Sequence, residues 1–424
     1  MTNAKKYGNI INIWKKINIQ FGNFPQKQKN GGIIMKKILA LLLACIMVCS
    51  LTFMLTSCGE TNENVIKIGV YEPQSGDNGA GGKQEILGMQ YANHIQPTVE
   101  IGGVEYKVEL VYADNESSND KAVSAATTLI SEGVSVVLGS YGSGVSIAAS
   151  DTFKEAGVPA IGVTCTNPQV TEGNEHYFRI CFLDPFQGTV LANFASEQFG
   201  AKTAYCLGQL GNDYDQGLIN YFKEAAEKLG MTVVAENFPE NNSDFTSYLA
   251  NAKKAGAEVI FAPCSISYAQ LIVAQSADQG INIPLLASDT WDSNKVLEAA
   301  KGKDVSISVS TFYAEGGDPE FEKGFREWIN ADSKNLENNG GDDKIAAVSI
   351  MGYDAYFTAL EAIKAAGSKA PGDVMKALPS VTYSGVSGDI KFDEIGDAVR
   401  DTAYIKEANT ETALWDFVSQ QGIK

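Results

Sequence analysis

The sequence predicts an α/β protein with two parallel-sheet lobes, and three observations carry that expectation. Short apolar runs alternate with amphipathic stretches from Val65 to Thr311, the pattern of a parallel sheet covered by helices. Gly133, Gly157, Gly230, Gly256 and Gly280 each follow a helical stretch, where a C-terminal cap takes a positive φ. The strand–helix–Gly–strand unit comes in two unlike sets, parted by Phe182-Leu183-Asp184-Pro185.

In chain order, strands are expected at Val65–Tyr71, Tyr106–Tyr112, Val134–Leu138, Pro159–Val163, Thr203–Leu207, Thr232–Asn237, Val259–Pro263, Pro284–Ala287 and Val305–Thr311. Between them fall helices at Gln84–Ile95, Asp120–Glu132, Ser146–Ala156, Asp215–Leu229, Phe245–Ala255 and Tyr268–Gln279. Two more follow, at Pro319–Asp332 and Ile345–Ala366. In the second helix Val123, Ala126, Leu129 and Ile130 are placed on one buried face, as amphipathicity requires. Asn335–Asp343 reads as a polar loop insertion. The later helices and Ser384–Phe392 do not make a third set and are expected to return to the first two. One lobe is then 65–184 plus 312–400, and the other 185–311 plus 401–424.

Charge and composition exclude several function classes. The chain has 424 residues and is 44% apolar, enough for packed cores. Residues 1–57 hold eight lysines and no acid, leaving 25 bases against 51 acids in the rest. So acidic a body argues against a nucleic-acid surface and against a basic membrane-lying face. The two histidines, His94 and His176, are far apart with no cysteine beside them. That argues against a histidine metal site or a Ser-His-Asp triad. Gly76–Lys83 is glycine-rich, but Asp77 and Gln84 stand where a phosphate loop needs Gly and Ser/Thr. Tyr141 stands two before Ser143, where a nucleophile elbow needs Gly. Neither an enzyme nor a cofactor is expected.

The N-terminus reads as an export signal. Met35-Lys36-Lys37 is a basic start, followed by an apolar run from Ile38 to Met54 and then Leu55-Thr56-Ser57-Cys58. This resembles the lipobox of bacterial lipoproteins, which implies a signal over 35–57, acylation of Cys58 and a polar tether through residue 64. The alternative is a plain membrane-spanning anchor, since the run approaches spanning length. Cys165, Cys181, Cys206 and Cys264 are scattered, without a CxxC, and read as small buried thiols in strands.

A set of segments in order resembles the type I periplasmic binding proteins, in their branched-chain amino-acid-binding family. They are Ile68-Gly69-Val70 with Pro73 and Gly76, Val137-Leu138-Gly139-Ser140 leading to Gly142-Ser143, and Pro159-Ala160-Ile161. Thr164-Cys165-Thr166-Asn167-Pro168, Tyr177-Phe178-Arg179, Gly211-Asn212-Asp213-Tyr214 and Ser288-Asp289-Thr290-Trp291 follow. Gly385–Asp393 with Gly396-Asp397 closes the series. The resemblance covers about residues 65–420. It implies two Rossmann-like lobes joined by three crossovers, closing on a ligand. It further implies the substrate-binding lipoprotein of an ABC importer, held outside the cytoplasm by its lipid and delivering an amino acid to a permease with its ATPase subunits. The alternatives are a ligand-sensing module for a signalling partner, or a binder of another small molecule.

An amino acid offers a carboxylate and an ammonium on one carbon, so its site needs donors on one side and acceptors on the other. Ser143 ends a strand loop and opens a helix, where backbone N–H groups and the dipole suit an anion. The resemblance places the carboxylate-binding serine at Ser143, a threonine able to contact both groups at Thr166, and an ammonium-binding carbonyl at Thr164. Turn and cap chemistry alone would also place Ser143 and Thr166. Asp289 follows an apolar strand and is the expected ammonium partner, the alternative being an N-cap for a helix near Ser293. Tyr214 is expected to lie over the ligand, the alternative being a surface turn. Ser267 falls where some relatives place a second acid. Gly81 replaces a family aromatic, which leaves Tyr141 and Trp291 to line the side-chain pocket.

Overall fold

A computed structural model describes residues 64–422. The expected signal, the acylated Cys58 and the tether up to Glu63 lie outside the described residues. Strand β1 (Val65–Glu72) leads into helix α1 (Gly79–Ile95), then the hairpin of β2 (Thr98–Ile101) and β3 (Val104–Asp114). α2 (Asn119–Ser131), β4 (Val136–Leu138), α3 (Ser143–Ala156), β5 (Ala160–Gly162) and β6 (Tyr177–Arg179) complete a first sheet. Its order is β2-β3-β1-β4-β5-β6, parallel except for β2.

The chain crosses to a second sheet through α4 (Asp184–Phe199). There β7 (Thr203–Gln209), α5 (Asp213–Lys228), β8 (Thr232–Phe238), α6 (Thr246–Lys254), β9 (Val259–Phe261) and α7 (Ile266–Asp278) follow. β10 (Leu285–Ala287), α8 (Asn294–Ala300) and β11 (Ile307–Thr311) end that run. It returns through α9 (Pro319–Asn330), α10 (Ser333–Asn338), α11 (Ala347–Ala366), α12 (Pro371–Ala377) and the hairpin of β12 (Thr382–Gly385) and β13 (Gly388–Lys391). A third crossing reaches β14 (Ala403–Asn409) and β15 (Leu414–Gln421). The second sheet runs β15-β14-β11-β10-β9-β7-β8, with β14 and β15 antiparallel. One apolar cluster links the sheets through the crossings, where the rings of Phe182 and Phe312 sit 4.4 Å apart.

The nine expected strands and eight expected helices are present, with ends shifted by a few residues. The five helix-ending glycines have φ between 61° and 82°. Three readings need correction. The buried face of α2 is Ala122, Ala125, Ala126 and Leu129, and Val123 is exposed, because the helix packs its smallest stripe on the sheet. Part of the expected polar insertion is helical, as α10, capped by the Asp332 side chain on Lys334 N. The four cysteines are buried and free, but only Cys206 lies in a strand.

α1 and α11 pack so closely that their backbones touch. A Cβ at Gly88 would sit 1.8 Å from the Ser349 carbonyl oxygen, and one at Gly352 would sit 2.2 Å from that of Glu85. The contact fixes the height of α1 over the first sheet, and with it the side chain of Glu85. Gly88→Ala or Gly352→Ala should therefore cost about 1–3 kcal/mol through overpacking, read as a lower urea midpoint. Gly372→Ala, which meets open space on α12, should be neutral or slightly stabilising.

Candidate functional site

Loops leaving the carboxyl ends of parallel strands carry polar residues, because the sheet cannot bury them there. In this chain the loops of the two sheets face each other around a cavity of about 460 Å³. Its wall comes from the loops after β1, β3, β4 and β5 on one side, and after β7, β8, β9 and β10 on the other. Hydrogen bonds join the two sides. Ile266 N donates to Asn78 Oδ1 at 3.1 Å, Ser267 Oγ to Asp77 Oδ1 at 2.7 Å, and Asn167 Nδ2 to the Asp213 carbonyl at 2.9 Å. Ser267 thus holds the two sides together.

Ser143 begins α3 at the cavity wall. The first bond of that helix end runs from Ser146 N to the Gly142 carbonyl, so the N–H groups of Ser143, Gly144 and Val145 precede the intrahelical ladder and suit an anion. The Ser143 hydroxyl also accepts from Asn167 N at 3.2 Å, so turn chemistry and anion chemistry share the residue. Thr164 lines the cavity and donates its hydroxyl to Glu85 Oε1. Thr166 is fully buried behind the wall, its hydroxyl on the Asp184 carboxyl.

Asp289 and Tyr214 meet. The Tyr214 hydroxyl lies 2.7 Å from Ser288 Oγ and 2.7 Å from Asp289 Oδ1, donating to the carboxylate and accepting from the serine. Gln187 Nε2 donates to the same carboxylate oxygen at 2.7 Å and to Ser310 Oγ at 2.9 Å. The helix near Ser293 is capped by Ser293 itself, whose hydroxyl accepts from Lys295 N, so Asp289 is not needed there. The neighbouring Asp292 has its own cation, Lys406 Nζ at 2.9 Å. The Asp289 carboxylate is held by neutral partners, Gln187 and Tyr214. Burial pushes its carboxyl up to about 6.

Tyr141 lines the cavity and lies over Gly81, and its hydroxyl donates to the Thr290 carbonyl at 3.3 Å. Trp291 does not line the cavity. It is fully buried in the core of the second sheet and donates its indole N–H to the Cys264 carbonyl at 3.0 Å. The short 3₁₀ turn Asp289–Trp291 explains this correction: it turns Asp289 toward Tyr214 and Gln187 and sends Trp291 into the core.

Sequence reading missed four buried groups here: Glu72, Glu85, Asp184 and Gln187. Glu72 and Glu85 act on each other, and burial pushes both up, Glu85 to about 8. Asp184 is pushed up to about 8 by burial, with the Asp289 charge adding to it. One signal was available: Glu72 and Asp184 are acids at the ends of apolar strand runs, as Asp289 is. Among the described residues no group of His, Cys, Asp and Glu is arranged to hold a metal ion.

These acids give stability a defined sign with pH. Each holds its proton to a higher pH when folded, so the folded chain binds more protons than the unfolded one between about pH 4 and 8. Stability of the ligand-free protein should therefore fall as pH rises through that window. Thermal melts should show Tm lower by about 3 °C or more at pH 8 than at pH 5. A cationic ligand should flatten the trend by stabilising the ionised acids.

Comparison with known proteins agrees with this geometry. The family model described as "Periplasmic binding protein" matches residues 65–412. Leu/Ile/Val-binding protein homolog 1 of Brucella abortus is 32% identical over 337 residues, covering 78% of this chain and 87% of that protein. A leucine-binding protein from Thermotoga maritima superposes with a TM-score of 0.75 at 30% identity, covering 84% of this chain and 99% of that one. The branched-chain amino-acid transporter substrate-binding protein of Streptococcus pneumoniae, solved with isoleucine, gives 0.73 at 25% identity over 85% and 99%. Among the described residues no helix is long and apolar enough to cross a membrane. With a two-sheet α/β body whose loop ends enclose one polar cavity, and with the family match running through nearly all of it, the chain belongs to the periplasmic binding protein family.

Proposed function

We propose that this chain is the extracytoplasmic solute-binding subunit of an ABC importer and that its ligand is an α-amino acid. The carrying observation is a helix N-terminus at Ser143 on one wall of the cavity and Tyr214 on the other, with the buried Asp289, bonded to neutral groups, directly behind Tyr214. Ser143 takes the α-carboxylate through backbone N–H groups and its hydroxyl. Asp289 takes the α-ammonium, aided by the Thr164 carbonyl and Thr166, while Tyr214 lies over the ligand and Tyr141 walls the side-chain end. The division into lobes at 184/185, 311/312 and 400/401 supplies hinges for closure. The closed form then docks on a permease with its ATPases, and binding involves no catalysis. The relatives named for leucine and isoleucine support this ligand class. Neighbours solved with benzoate or hydroxybenzoates share the fold at 20% identity, and an aromatic carboxylate would leave Asp289 without a cation.

Calorimetric titration with free amino acids tests the site. Asp289→Asn keeps the shape and removes the charge. Leaving the ammonium buried against a neutral amide should cost roughly 2–5 kcal/mol, an affinity loss of about 30-fold to several thousand-fold. Retention within about threefold would overturn the assignment. Anchoring is tested separately: Cys58→Ala should release the protein from the membrane fraction, and unchanged acylation of that variant would refute a lipid at Cys58.

A further inference from the structure

On the amino-acid reading, an α-carboxylate at Ser143 and an α-ammonium at Asp289 leave a second acidic centre without a cation. Glu72 ends β1 and Glu85 projects from α1, and both side chains are fully buried. Tyr141 N donates to Glu72 Oε2 at 2.6 Å and the Thr164 hydroxyl donates to Glu85 Oε1, and the two carboxyls lie against each other, sharing a hydrogen bond. The titratable groups bearing on the pair are Cys165, Tyr71, Tyr141, Tyr177 and Asp289, none of them cationic. The nearest buried bases are committed elsewhere, Arg179 to Asp397 at 2.7 Å and Lys406 to Asp292 at 2.9 Å. The pair lies behind the cavity wall, and Tyr141 and Thr164, which hold it, are part of that wall.

A second observation is independent of the pair. The cavity wall nearer solvent carries Asp77, Glu116, Asp120, Asp213 and Glu240, and no Lys, Arg or His lines it. Lys121 stands 4.0 Å from Glu116 on the flank. Such a rim concentrates cations at the entrance. Inside, two touching carboxyls out of water cannot both ionise without a cation. An aliphatic side chain laid against them would leave the pair holding its proton and would supply it no donor. A terminal ammonium or guanidinium supplies several donors and the missing charge.

We propose that the Glu72–Glu85 pair is the side-chain subsite of this cavity and that the ligand is an α-amino acid whose side chain ends in a cationic nitrogen. This rests on the amino-acid reading and names the class within it. The ligand spans the cavity with its α-carbon between Ser143 and Asp289 and its side chain directed past Thr164 and Tyr141. Seating the cation expels the proton that the empty pair retains.

The test is calorimetric titration of the purified chain with lysine, ornithine and arginine, and with leucine, isoleucine and valine. One of the first three should bind at least about tenfold more tightly than every member of the second. Its binding heat should change between buffers of different ionisation enthalpy, reporting proton release. Glu85→Gln should weaken it about 30-fold or more, with a smaller loss for any aliphatic ligand. If that variant does not fold, Glu72→Gln carries the same expectation. Tighter binding of leucine, isoleucine or valine, lost on Asp289→Asn, would overturn this inference and uphold the amino-acid reading. Affinity for the cationic ligand within about threefold of wild type in the folded variants would also overturn it. No binding by any of the six would overturn this inference, and no binding by any free amino acid would remove the amino-acid reading as well.

Discussion

The arrangement of the site depends on one buried guanidinium. Arg179, at the end of β6, is wholly enclosed, and it meets Asp397 through Nε at 2.8 Å and Nη2 at 2.7 Å. Its remaining donors go to the carbonyls of Cys165 and Asn167 and to the Thr171 hydroxyl. Backbone bonds from Arg179 N to the Gly396 carbonyl and from Ala398 N to the Arg179 carbonyl tie the same point to the last crossing. One side chain therefore fixes the loop that presents Thr164 and Thr166 and also pins the strand returning to the second sheet. A buried pair of this kind adds little net stability against an apolar substitute, but losing one partner strands a charge. Its value lies in geometry: Asn167, held this way, reaches Ser143 with its N–H and the Asp213 carbonyl with its side chain.

Buried charge in this molecule divides into two kinds. Asp397 and Asp292 are answered by Arg179 and Lys406 within 3 Å. Glu72, Glu85, Asp184 and Asp289 are answered by amide, hydroxyl and backbone groups and, for the two glutamates, by each other. Asp354, under the β12–β13 hairpin, is met in the same way by Val386 N and Ser387 N.

Much of this was legible in residues and some was not. The strands and their glycine-capped helices follow from periodicity, which burial on a sheet imposes on both. The placing of Ser143 and Tyr214 at the cavity, and of Asp289 against Tyr214, was readable because a polar residue just past an apolar strand has few places to go. Helix α4 was hidden because Phe186, Val190, Leu191, Phe194 and Ala195 are buried around much of its circumference, leaving no polar stripe to reveal the period. Edge strands β2 and β15 were missed for the opposite reason, their few fully buried positions. Trp291 was misplaced since a 3₁₀ turn reverses direction within three residues, finer than any pattern argument resolves. Glu85 was invisible because a glutamate inside a helix ordinarily reads as a solvated face, and only the contact of Gly352 with its backbone shows that this face is enclosed.

The four buried thiols set a condition on how the protein is made. Cys165, Cys181, Cys206 and Cys264 are free and shut away from solvent. Burial pushes the Cys165 thiol up to about 11, far from the thiolate that exchange and oxidation require. The described body reaches its fold without an oxidant, so it suits an anaerobic exterior as well as an aerated one. The unfolded chain, with every thiol open to random coupling, does not share that indifference. Secretion into an oxidising medium therefore becomes a race between folding and misbridging, and rapid closure of the two sheets is what protects the chain.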